Sequence, residues 1–219
     1  MSDRIHKVRT PLLPTYADAQ IVLRVAEGHK KADVWGMINS IRNQTGTPQS
    51  PVDWSAPDSW IVERLAGKER ELAQKIWTLS NKQANPRYIY GAYMLCSMHQ
   101  LWITDENGVY RLTPKGQAFL NNDREVLREL DDLEGLLQLL QILSVKDWSR
   151  RSDLLPEWAA FLKDYSRFSS ASTVKDALRR RLINLFHRGL ISRDGNGYCI
   201  SAQGLEWLSG YTVKEDALQ

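Results

Sequence analysis

Arg179, Arg180 and Arg181 follow one another inside the stretch 172–188, where Val174, Leu178, Leu182 and Leu185 recur at helical spacing. A helix of that pattern turns its leucines inward and leaves Thr173, Lys175, Asp176, Arg179 and Arg180 facing out near its start. Guanidinium groups so placed can take guanine edges or phosphates. The hydroxyls and backbone N–H groups of Ser172 and Thr173, at the helix start, can hold a further phosphate. Arg188 and Arg193 add charge beside the hairpin that follows, and Asn196 in its turn is placed to reach a minor groove. The plainer reading of the arginine run is a solvated face.

A second group lies around residues 82–115. Lys82 and Asn85 precede a helix expected over 86–100, and Arg87, Tyr88 and Tyr90 occupy its first turns. Asn107, Arg111 and Lys115 sit in and just beyond the next hairpin. Tyr, Arg and Asn can stack on a base or hydrogen-bond to it. The alternative is that Tyr88 and Tyr90 cover the core of an otherwise apolar helix. Trp54 and Trp60 could line a pocket for a modified or flipped base, although tryptophans more commonly anchor a core.

Catalytic chemistry is harder to find. His6, His29, His99 and His187 share no motif, and there is no phosphate-binding glycine loop or nucleophile elbow. Asp131, Asp132 and Glu134 read as a solvated acidic face. Cys96 and Cys199 lie far apart in apolar stretches, which points to buried free thiols rather than a disulfide or a metal site. Neither a cofactor nor a metal is expected.

The elements that must position these residues are mostly helices. Helices are expected over 16–27, 32–43, 58–65, 68–82 and 86–100, with an irregular Pro/Ser/Thr-rich loop at 44–57. The period then shortens. Residues 101–103 and 109–112 read as strands around an Asp-Glu-Asn-Gly turn, followed by a short helix, 114–120. A long helix with a leucine stripe is expected over 123–145, then helices at 154–165 and 172–188. A second hairpin around Asp194-Gly195-Asn196-Gly197 and a last helix, 202–208, complete the chain.

The two hairpin segments, LWITDENGVYRLTPKGQAFL (101–120) and LISRDGNGYCISAQGLEWL (190–208), can be laid on each other. Tyr110 matches Tyr198, Leu112 matches Ile200, Thr113 matches Ser201, Gly116 matches Gly204 and Leu120 matches Leu208. Helix, strand, Asn/Gly turn, strand and Thr/Ser-capped helix is one unit used twice. That is the order of a winged helix, whose helix before the hairpin enters the major groove. The expected fold is therefore mainly α with small β-hairpins, as tandem winged-helix modules joined by a long helix. Residues 1–122 form the first module, 123–211 the second, and 212–219 a linker or tail.

Bulk properties limit the alternatives. With 42% hydrophobic and 25% charged residues the chain is a folded one rather than a disordered one. A net charge of +3 is too small to argue for nucleic acid without the local clusters. No apolar run is long enough for a membrane span and no signal peptide opens the chain, so a cytoplasmic location is expected.

PDSWIVERLAG (57–67), LAQKIW (72–77), NPRYIYG (85–91) and YRLTPKGQAFL (110–120) resemble the amino-terminal region of Mrr-type, modification-dependent restriction proteins. The resemblance covers about a third of the chain. It implies winged-helix DNA binding, a preference for methylated cytosine, a role in antiphage defence, and a separate nuclease domain of the PD-(D/E)xK class. No such catalytic motif occurs in these 219 residues, so the chain is either the DNA-reading part of a longer enzyme or a stand-alone binder; the VKEDALQ ending, which reads as a linker, favours the former. The partner is then double-stranded DNA. A transcriptional regulator pairing as a homodimer through the leucine stripe, and a protein-binding adaptor, are the alternatives.

Overall fold

The computed structural model describes residues 8–44, 49, 51–146 and 148–209. The expected tail, 212–219, and part of the loop 44–57 (45–48 and 50) lie outside the described residues. The described chain is mostly helical with small antiparallel sheets, an α+β arrangement. It divides into two compact units. One is Pro14–Val126; the other runs from Leu127 onward and includes the segment ending at Leu13. The sequence places that segment in the first module. Instead, the Val8 N–H donates to the Tyr165 carbonyl at 3.1 Å.

In the first unit α1 (Tyr16–Ala26) begins where Thr15 Oγ1 accepts the Asp18 N–H at 3.1 Å. It is followed by α2 (Lys31–Asn43), α3 (Pro57–Arg64) and α4 (Gly67–Leu79). The expected helix over 86–100 is in fact two pieces. Asn85 caps a 3-10 turn, Pro86–Tyr88, and α5 (Tyr90–Met98) follows. β1 (Trp102–Thr104) and β2 (Tyr110–Leu112) pair with Trp102 opposite Leu112, and α6 (Pro114–Leu120) closes the unit. Leu23, Leu72, Ile76, Leu95 and Phe119 form its core, each contributing roughly 1.5–3 kcal/mol by burial.

α7 (Arg124–Leu133) carries the chain from one unit into the other, and α8 (Leu136–Ser144) follows. The sequence read these as one helix. Gly135, at φ +73°, interrupts it, and a Cβ there would lie 2.8 Å from the Phe161 ring. The second unit continues with β3 (Ser149–Arg150), α9 (Arg151–Tyr165), α10 (Ala171–His187), β4 (Ile191–Asp194), β5 (Gly197–Ile200) and α11 (Ala202–Ser209). Its sheet is antiparallel in the order β3-β5-β4. β3 is absent from the sequence reading, because two residues leave no alternation to detect. Leu127, Leu130, Leu137 and Leu140 of the stripe are buried, with α8 packed on α9, β5 and α11. Leu133, the remaining residue of the stripe, is half-buried.

The internal repeat holds bond by bond. The Leu101 N–H donates to the Cys96 carbonyl at 2.9 Å, and the Leu190 N–H to the Leu185 carbonyl at 3.0 Å. Gln100 and Gly189, just before them, are both left-handed, at φ +54° and +69°. Thr113 Oγ1 accepts the Gly116 N–H at 3.0 Å and donates to the Gln100 carbonyl at 2.8 Å. Ser201 Oγ accepts the Gly204 N–H at 2.9 Å and donates to the Gly189 carbonyl at 2.6 Å. A Cβ on Gly116 would overlap the Leu101 carbonyl oxygen, and one on Gly204 the Leu190 carbonyl oxygen. A third edge completes both hairpins. Lys30 bridges Val109 beside β2, where the His29 carbonyl accepts the Tyr110 N–H at 2.9 Å, and β3 pairs with β5. In each unit that edge lies between two helices, α1 and α2 or α8 and α9.

Candidate nucleic-acid interface

In the second unit α10 starts one residue earlier than its sequence suggests. Ser170 is the N-cap, its Oγ accepting the Thr173 N–H at 3.1 Å. The hydroxyls of Ser172 and Thr173 lie 3.1 and 2.7 Å from that Oγ. Ser172, Lys175 and Arg179 are exposed along one line of the helix, with Thr173 and Arg180 half-buried beside it. Arg179 gives Nε and Nη2 to Asp176 Oδ1 at 2.9 and 2.7 Å, and Arg180 gives Nε to Oδ2 at 2.9 Å. Partial burial works to raise the Asp176 carboxyl; the hydrogen bonds from Arg180 and Arg179 outweigh it and hold the group below its usual range.

Two arginines of the expected cluster face inward. Arg181 is fully buried, with Nη2 2.8 Å from Glu134 Oε2 and Nε 2.6 Å from the Glu134 carbonyl. The Thr10 hydroxyl donates to Glu134 Oε1 at 2.7 Å, and the Thr10 carbonyl accepts from Arg181 Nη2 at 3.0 Å. Arg188, read as a DNA contact, makes a bidentate pair with Asp131 at 2.6 and 2.9 Å, and its side chain is only 16% exposed. Trp207 Nε1 donates to the same carboxylate at 2.9 Å. Asp131 and Glu134 are therefore not a solvated face. Each is buried on or just after α7 against an arginine of the α10 region, as burial of a charge requires.

The β4–β5 hairpin carries Arg193 and Asn196, both exposed. Trp148 supports it from below: Nε1 donates to the Asp194 carbonyl at 3.1 Å, and a Cβ on Gly197 would overlap the indole. The Arg150 guanidinium lies 5.5 Å over the Trp148 ring. Sequence reasoning missed Lys163 and Arg167, which the fold brings beside Lys175. They lie on and after the last turn of α9, and only the turn into α10 reveals the grouping.

In the first unit Trp54, Asn85 and Arg87 are brought together. Asn85 Nδ2 donates to the Trp54 carbonyl at 2.6 Å, and the Arg87 guanidinium lies 4.3 Å over the Trp54 ring. Trp60 meets Trp54 edge-on at 5.3 Å but is only 2% exposed, so it is a core residue, out of a base's reach while Trp54 covers it. Tyr88 is 66% exposed, while Tyr90 is half-buried against Trp35 with Arg42 over its ring. Lys82 pairs with Asp58 at 3.0 Å and Arg111 with Asp105 at 2.9 Å, both at the surface. Asn107 is exposed in the hairpin turn, held by its N–H on Asp105 Oδ1, and Lys115 is half-buried.

Among the described residues no His, Cys, Asp and Glu group is arranged to hold a metal ion, and no helix is long and apolar enough to cross a membrane. Cys96 is buried as expected, whereas Cys199 is half-exposed on β5. Comparison of the chain with family models, curated proteins and solved structures finds no match.

Proposed function

We propose that the chain is a reader of duplex DNA made of two winged-helix modules, with α10 in the major groove and the β4–β5 hairpin as its wing. The observation that carries this reading is the exposed line Ser172, Lys175 and Arg179 on a 17-residue helix that runs directly into the hairpin bearing Arg193 and Asn196. The order helix, edge strand, two helices and hairpin, with strand order β3-β5-β4, supports the winged-helix assignment. The first module contributes Tyr88 and Arg87, placed to stack on or bond to a base.

The resemblance to Mrr-type proteins supports a cytoplasmic role in restriction. Methylated cytosine is then the preferred mark, and cleavage falls to a nuclease domain outside these residues. The burial of Leu127, Leu130, Leu137 and Leu140 weighs against the symmetric regulator.

Fluorescence anisotropy with plain and cytosine-methylated duplexes tests the proposal. The chain should bind at low salt and favour the methylated duplex. A double variant, Lys175→Gln with Arg179→Gln, should bind about thirtyfold more weakly, since each lost contact is worth ~1 kcal/mol or more. Unchanged affinity would remove α10 as the reader, and no binding to either duplex would favour the protein-binding adaptor.

A further inference from the structure

A cavity of about 550 Å³ opens between α9 and α10. Its floor is apolar, made by Leu155, Ala159, Phe168 and Val174. Its rim carries three cations, Lys163, Arg167 and Lys175, and no carboxylate lines it. Several other cations of this unit are paired: Arg179 and Arg180 with Asp176, Lys146 with Glu157, Arg188 with Asp131. Lys163, Arg167 and Lys175 have no such partner among the described residues. Other cavities differ in this respect. One of about 520 Å³ beside α4 places Glu27 and Glu71 next to Arg24, His29 and Lys75, and one of about 380 Å³ at the start of α10 includes Asp176.

Uncompensated positive charge around an apolar floor has a definite chemical complement. Such a volume suits a small organic molecule. The floor favours a hydrocarbon body, by the area it removes from water. The rim favours a single anionic head, through charge-assisted hydrogen bonds from an ammonium or guanidinium group. We propose that this groove is a binding site for a small amphipathic anion, a carboxylate carried on an acyl or aromatic body. Lys175 belongs both to the rim and to the outward line of α10. An occupant that takes up Lys175 therefore also withdraws charge from the surface proposed to meet DNA. That second consequence rests on the DNA reading; the site itself does not.

The test is calorimetric titration of the full chain with octanoate, with octanol and acetate as the uncharged and the headgroup-only counterparts. Octanoate should bind at one saturable site, at least tenfold more tightly than either counterpart. Lys163→Gln with Lys175→Gln, two exposed positions whose change spares the core, should weaken it by about tenfold or more. Amide and methyl NMR shifts should move at Ala159, Phe168 and Val174. Octanol binding as tightly as octanoate would overturn the proposal, because charge would then play no part. Acetate binding as tightly would overturn it through the floor, and so would unchanged affinity in the double variant or no binding of octanoate. A labelled duplex added last separates the two claims. Octanoate binding without any duplex binding defeats the DNA reading and leaves the groove intact. Duplex binding without octanoate binding does the reverse.

Discussion

Asp176 governs how much charge α10 can present. Its carboxylate binds Arg179 and Arg180 at once, and it lies one residue from Lys175 on the same outward side. Asp176→Asn removes a negative charge from the proposed phosphate side and releases both guanidinium groups. Duplex affinity at low salt should rise, by roughly three- to tenfold. Unchanged or weaker affinity by anisotropy would show that this side of the helix does not face DNA. Because the Asp176 pKa is lowered in the folded chain, the bonds it accepts stabilise the fold above the unfolded carboxylate range. They are lost as pH falls through the lower, folded value. Arg181 follows a different rule. Removing one partner of a fully buried pair strands the other, so Arg181→Ala should destabilise the chain by about 3–5 kcal/mol in urea unfolding. A loss below about 1 kcal/mol would contradict the buried pairing with Glu134. Part of this was legible in the spacing. Arg181 stands three residues after Leu178 and four before Leu185, on the inward stripe. Its partner was not legible, since Glu134 lies 47 residues earlier and only the fold brings them together.

At the scale of elements, the repeated helix–hairpin–helix unit is held by a small set of backbone bonds. Sequence reasoning found it because the fixed points are local: an Asn/Gly turn, then Thr or Ser three residues before a glycine. Gly116 and Gly204 are conformationally ordinary. They are glycine because the helix start crosses directly over the carbonyl of Leu101 or Leu190. Gly116→Ala and Gly204→Ala should therefore each cost about 2 kcal/mol or more through forced backbone displacement. Gly195, at φ +55° with open space around its Cβ position, is the comparison. Gly195→Asn should cost under about 1 kcal/mol, because Asn tolerates that conformation. Equal losses for the three variants in urea unfolding would contradict the close crossing. What escaped the sequence has equally physical causes. β3 is too short to alternate, the bridge at Lys30 is a single residue, and the break at Gly135 is hidden inside an unbroken leucine period.

Across the whole molecule, a net charge of only +3 conceals an uneven distribution. Charges that looked alike in the sequence are divided by the fold into buried pairs, neutralised surface pairs and a few cations left open to a polyanion. A salt titration of duplex binding by the full chain counts the phosphates met, by open cations or by Arg179 and Arg180 drawn from Asp176. If Lys175, Arg179, Arg180 and Arg193 meet phosphates, log affinity should fall against log salt with a slope of roughly −3 to −4, since each neutralised phosphate contributes about 0.9. A slope near zero, or no binding at low salt, would mean that the α10 face and its hairpin do not meet DNA.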